Sequence, residues 1–290
     1  MPDSMVWTSA DDNLVIDFTD QVRFVVDPNG TRGLRSPSYS LASARYAGAD
    51  GDTVDAVTAE PATPTIGLKM FATDEEDLRY RMRELVRALR PKAGPGTLTV
   101  TTPWGESRDL TCYCIGGLEG AESRGEIMPG RWWRVALKMH APSPWWEGAE
   151  RVIDFGLAAP SAFFPIFPLV LSPSTIQGEF TVFLADSDAP TYPTWTITGP
   201  GSQLTLTNLT TGRSIQVNAP LGDGQSMTID TRPGFQSVTR DDGTNLMDTL
   251  ATDPALWPLV DDVNVVSALL TNAGPASRIR GVYRPRFSGI

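Results

Sequence analysis

The chain holds one histidine, His140, and two cysteines, Cys112 and Cys114. Nucleophilic or metal chemistry would have to be assembled around these three side chains. A Ser-His-Asp arrangement needs His140 as its base, and a mixed-ligand zinc site needs it as a donor. Yet His140 ends the run WWRVALKMH beside Ala141 and Pro142, with no nucleophile or metal motif around it. The C-x-C spacing puts both thiols on one face of a strand. It departs from the usual metal spacing, which has two residues between thiols, and its geometry suits a disulfide poorly. The pair therefore reads as free thiols, as expected of synthesis in a reducing cytoplasm. Neighbouring carboxylates stand at Asp241–Asp242 and Asp261–Asp262. A glycosidase sets two carboxyls across a cleft, which sequence neighbours in a turn do not provide by themselves. Trp132, Trp133, Trp145 and Trp146 could stack on sugar faces, but tryptophans dominate cores and interfaces, and they are read here as such anchors. The residues thus point to no catalytic, cofactor-binding or metal-binding set.

The elements that would have to position these residues are mostly strands. From about residue 190 to 250 short runs (TWTIT, LTLTN, SIQVN, MTID and FQSVT) alternate apolar and polar side chains. Between them stand Gly199–Gly201, Thr211–Gly212, Gly222–Gly224, Pro233–Gly234 and Asp241–Gly243. Gly supplies positive φ, Pro presets φ and Asp caps its own turn. Alternation gives each run one buried and one wet face, the pattern of an antiparallel β-sandwich. Late strands are expected at 263–270 and 277–283, and an earlier one at 178–186.

The first half predicts strands at 13–18 and 23–27 with an Asn29–Gly30 turn, a long polar excursion from Gly30, and strands at 53–59 and 65–71. One helix follows, at about 74–90, opened by a capping box of Thr73 and Glu76. Leu78, Met82, Leu85, Val86 and Leu89 form its apolar stripe, and Pro91 and Gly94 stop it. A hairpin flanks Trp104–Gly105, and a strand occupies 132–140. Prolines 142 and 144 and the WWEG block close the half, so the domain boundary falls near residue 150, with domains at 1–150 and 151–290.

Composition bounds the partners. With 24 Lys+Arg against 34 Asp+Glu the net charge is −10, which argues against nucleic acid as a partner. The N-terminal MPDSMVWTSADD lacks a basic start and apolar core, so no secretory signal is read. The most apolar stretch, FFPIFPLVLS at 163–172, is too short and too proline-rich to span a bilayer, and no membrane insertion is expected. Arg79, Arg83, Arg87 and Arg90 recur about one turn apart on the helix face away from the leucines. They read either as a solvated face or as a subunit-facing stripe that meets Asp50, Asp52 and Asp55 of a neighbour.

Several strings carry a resemblance. The first half has a strand pair around Asp50–Gly51, a single helix followed by PKAGPGTLTV, a hairpin, and a strand running into APSPWWEG. The second half carries YPTWTITGPG, NLTTGRS, MTIDTRPG and VTRDDGTNL. Together these resemble the distal tail proteins, also called minor tail proteins, of long-tailed bacteriophages. The resemblance implies a mainly β chain whose N-terminal β-barrel or split-sandwich domain, with one α-helix, forms a hexameric ring. It implies a C-terminal galectin-like antiparallel β-sandwich outside that ring. It further implies a structural virion protein, not an enzyme and without cofactors, at the distal end of the tail. Its partners would be the tail tube protein, the tail-tip hub protein and, as a further candidate, the tape measure protein. The alternative is a carbohydrate-binding module contacting the host envelope, although a galectin-like fold does not by itself deliver a sugar site. A cell-wall hydrolase is the third reading.

Overall fold

The computed structural model describes residues 3–290 apart from 12–13, 49, 120–126, 129–130, 158–160, 163–169, 172–173, 185, 252–255 and 261. Most of the apolar 163–172 stretch, and Asp261 with it, lies outside the described residues. The chain separates into two compact units, Met1–Gly148 with Phe287–Ile290, and Ala149–Arg286.

The first unit carries β1 (Ser4–Thr8), β2 (Val15–Asp17), β3 (Phe24–Arg32), β4 (Tyr39–Ala44), β5 (Thr53–Ala59), β6 (Thr65–Phe71), helix α1 (Glu75–Ala88), β7 (Gly96–Thr101), β8 (Ser107–Gly116), β9 (Ile127–Met128), β10 (Trp132–His140) and β11 (Trp146–Glu147). Its main antiparallel path runs β2-β1-β7-β8-β10-β6-β3. Strand β8 switches partners along its length: residues 107–112 pair with β7, and Tyr113, Cys114 and Gly116 pair with β10. One strand thus joins two sheets, and inward residues of both fill a shared core that includes Trp7, Leu68, Leu98, Leu110, Leu137 and Trp146. Gly117 follows at φ +98, where a Cβ would lie 1.9 Å from the carbonyl oxygen of Ala136 in β10, so only glycine lets the chain leave β8 here.

Helix α1 starts one residue away from the expected box. Asp74 is the N-cap and its carboxylate accepts from the Asp77 N–H at 2.8 Å, while Asp77 reaches back to the Thr73 N–H at 3.0 Å. Asp77, not Glu76, closes the cap because it sits three residues after the true N-cap. Its carboxyl is held below the usual range, first by the Arg81 side-chain bond and then by the Thr73 N–H. Leu78, Leu85, Ala88 and Leu89 are buried, but Val86 is 48% exposed and drops out of the predicted stripe. At the other end the indole N–H of Trp7 donates to the Ala88 carbonyl at 2.8 Å, satisfying one of the acceptors a helix C-terminus leaves over.

Two further expectations are corrected. Asn29–Gly30 is no turn: β3 runs on to Arg32, with an irregular register against β6 between Asp27 and Arg32. The polar excursion contains β4, paired with β5 as a separate two-stranded ribbon. Its Ser and Ala content hid the alternation.

The second unit carries β12 (Arg151–Gly156), β13 (Ser161–Ala162), β14 (Val170–Leu171), β15 (Thr175–Phe183), β16 (Thr194–Thr198), β17 (Leu204–Asn208), β18 (Arg213–Val217), β19 (Ser226–Asp230), β20 (Ser237–Arg240), β21 (Val263–Thr271) and β22 (Arg278–Tyr283). The closing β23 (Arg286–Phe287) pairs with β11. A five-stranded sheet, β12-β22-β16-β19-β20, and a four-stranded sheet, β15-β21-β17-β18, contribute alternate residues to one core. Ile153, Trp195, Ile197 and Ile279 come from the first, Leu206, Ile215, Val266 and Leu270 from the second. Trp195 and Trp257 meet edge-on at 5.8 Å between ring centres. The expected turn glycines 212, 224, 234 and 243 all have positive φ.

A polar knot ties the ends of β17 and β21. Buried Asn208 donates to the Asn264 side chain at 3.0 Å, and Asn264 donates to the Val260 carbonyl at 2.7 Å and accepts its N–H at 3.0 Å. Truncating Asn264 removes the partner of buried Asn208 and of the half-buried Val260 N–H and carbonyl. Asn264→Ala is expected to lower stability by about 2–3 kcal/mol, against about 1 kcal/mol for the cap variant Asp74→Ala, both read as shifts in urea midpoint. Equal effects of the two would contradict this account.

Candidate functional site

Among the described residues, Cys112, Cys114 and His140 join no group that could hold a metal ion. Cys112 and Cys114 are free and buried at the point where β8 changes sheets. Burial pushes the Cys112 thiol up to about 12, with the neighbouring Cys114 adding to it. Burial raises Cys114 as well, against an opposing bond to the Gly116 carbonyl. Both are therefore protonated thiols, poor nucleophiles and poor ligands. His140 ends β10 opposite Tyr113 and is half-buried. Asp241 and Asp242 sit in the β20 hairpin turn, where Asp241 accepts from the Ser226 N–H at 3.0 Å and Asp242 from the Thr244 N–H at 2.8 Å. Among the described residues no group of three or more His, Cys, Asp or Glu side chains could hold a metal ion. Trp133 and Trp146 are core residues, and Trp132 and Trp145 are half-buried. An open cavity of about 1080 Å³ lies beside β1, β3 and the C-terminal Ile290, but its charged side chains are Asp3, Arg32 and Arg35, without a nucleophile or paired acids.

What the first unit presents instead is surface. In the ribbon β4–β5, only Ala44 and Ala59 are not exposed. Tyr39 faces Ala59, Leu41 faces Val57 and Ser43 faces Val54, the register shifting between Ala42 and Ser43. Opposed residues share a face, so Tyr39, Leu41, Val54 and Val57 lie together on one side, while Ser40, Ala42, Ala56 and Thr58 take the other. The extra residue Asp55 turns Val54 onto the same face as Val57, a shift no sequence pattern reveals. The period-two alternation of Tyr39, Leu41 and Ser43 was the signal that could have found the strand. Asp50, Asp52 and Asp55 are exposed on this arm.

Arg79, Arg83 and Arg87 occupy the outer face of α1, Arg90 follows its C-terminus, and all four are exposed. Arg79 pairs with Glu75 at 2.6 Å in an exposed i,i+4 bridge, while Arg83 and Arg87 have no ion pair among the described residues. Tyr80 and Val86, both exposed, interrupt the charge. Nothing within one copy brings these arginines to the three aspartates. At the tip of the β7–β8 hairpin Trp104 is 75% exposed, on a turn closed by Gly105 N–H to the Thr102 carbonyl at 3.0 Å.

Residues 186–287 match the family described as Siphovirus-type tail component, C-terminal domain. Across the full length, the chain has the fold of the Dit protein of phage SPP1: 99% of this chain and 100% of that one superpose, with a TM-score of 0.67 at 17% identity. The chain therefore has a Dit-like fold, and its residues 186–287 carry the match to the tail-component family. Chains of the phage P2 baseplate, in its activated conformations with Ca and with Sr, are also similar: 97% of this chain and 98% of those are covered, at TM-scores of 0.52 and 0.50 and identities of 12% and 13%. No curated protein matches in sequence. The mainly β architecture with one α-helix among the described residues is the Dit fold, as the resemblance implied.

The thiols offer a check on the packing of this Dit-like chain. The native protein is expected to leave both cysteines unlabelled by a thiol reagent at pH 8 and to expose both in denaturant. The folded state holds the Cys112 proton up to about 12, whereas an ordinary thiol loses it near 9.0. The unfolded chain therefore binds fewer protons between these values, and stability should fall as pH rises through that window. A Cys112→Ser variant would isolate this contribution; rapid native labelling would refute the burial argument.

Proposed function

We propose that this protein is a structural virion protein that closes into a ring of copies, six by resemblance, at the distal end of a phage tail tube and joins the tube to the baseplate hub. The observation that carries the reading is the end-to-end likeness to SPP1 Dit, a protein described as a paradigm of the hub adsorption apparatus in phages infecting Gram-positive hosts. Likeness to chains of the P2 baseplate supports the same placement. The work is geometric: one face meets the tube protein, the opposite face meets the hub, and no bond chemistry is required. The buried protonated thiols and the exposed apolar and basic surfaces of the first unit suit such a part better than they suit an enzyme. A stable ring needs large obligate contacts with apolar anchors.

Negative-stain electron microscopy of the purified full chain at micromolar concentration should show closed rings with an axial hole. A uniformly monomeric population under those conditions would overturn the reading. Glycan-array binding by the full chain without ring formation would favour the carbohydrate-binding alternative in its place.

A further inference from the structure

We infer that the β4–β5 arm of one copy docks across the outer face of helix α1 of the next copy. This inference rests on the ring reading and names the surfaces that would close it. Within one copy both surfaces are open to solvent, so neither covers the other. A lone two-stranded ribbon is marginal in water, and this one adds an apolar face, with Leu41 63% and Val57 60% exposed. Such a face requires a cover.

Three observations select a second copy as that cover. The first is charge. The arm and its tip, residues 39–59, contain Asp50, Asp52 and Asp55 against Arg45 alone, while the outer face of α1 and its end display Arg79, Arg83, Arg87 and Arg90 against Glu75, which pairs with Arg79, and Glu76 in the first turn, so Arg83, Arg87 and Arg90 are the cations left toward the helix end. The second is surface type. Tyr80 and Val86 lie among the arginines, and arginine stems themselves cover apolar area while their heads reach outward. Tyr39, Leu41, Val54 and Val57 can pack on these stems while the aspartates meet the guanidinium groups. The third is length. Strands of six and seven residues extend for about 20–24 Å, and a helix of 14 residues for about 21 Å. Because arm and helix are different surfaces, the contact is heterologous, and repeating it with a closing rotation makes a ring. Opposed charges along the contact set its register and disfavour a slipped one.

The test uses the full chain. One variant carries Asp50→Lys, Asp52→Lys and Asp55→Lys, a second Arg83→Glu and Arg87→Glu, and a third carries all five changes. These are exposed sites, so folding is checked by circular dichroism and oligomer mass by light scattering at low ionic strength, where such pairs are least screened. Each partial reversal should raise the concentration for half-assembly by about tenfold or more, and the combined variant should recover most of the loss. In parallel, Leu41→Cys with Tyr80→Cys should give an oxidative ladder of covalent oligomers. Rings that persist unchanged in both partial reversals, without a ladder, overturn this inference and leave the ring reading intact. A wild-type chain that never assembles overturns both.

Discussion

Strand β8 is the constraint on which the first unit depends. Its first six residues hydrogen-bond to β7 and its last to β10, so a single strand must bend from one sheet into the other. A strand that switches sheets needs small side chains on the inside of the corner and a residue free of Cβ clashes where it exits. Cys112 and Cys114 supply the small buried side chains, behaving as compact hydrophobes, and Gly117 supplies the exit. The same corner explains why the thiols are chemically silent. The two residues that most invited a metal or redox reading are there for volume.

The last residues of the chain reinforce this unit. Phe287 is buried in its core, the Arg108 guanidinium stacks 3.9 Å above the Phe287 ring, and Arg108 also donates to the Gly289 carbonyl. Ile290 donates its N–H to Leu34 at 3.2 Å. Arg108 belongs to β8, so the corner strand also gathers the C-terminus. This frame holds the exposed β4–β5 arm and the exposed face of α1 on one body.

The second unit was the more legible half. Its turns are tight, its strands short, and Gly212, Gly224, Gly234 and Gly243 sit at positive φ, so local chemistry and final structure agree there. TWTIT and VNVVSALL became strands almost as written, and the helix appeared within two residues of its expected ends. In the first unit, local signals competed with tertiary ones. Asn29–Gly30 looks like a turn, yet pairing with β6 carries β3 through it. Val86 keeps helical spacing with the leucines, yet the sheet covers a narrower stripe than the pattern offered. The arm at 39–44 lacks bulky β-formers on its second face, so it read as loop.

The residue order by itself determined the alternation of strands, helix α1 and most of the turns, because each follows from properties of neighbours within a dozen positions. Only the tertiary structure decided that β8 serves two sheets, that Phe287–Ile290 belong with the first unit, and that the bulge at Asp55 gathers Tyr39, Leu41, Val54 and Val57 on one exposed face. These depend on pairing between residues far apart in the chain. Register across such distances is chosen by the summed burial of whole faces, which no local window contains.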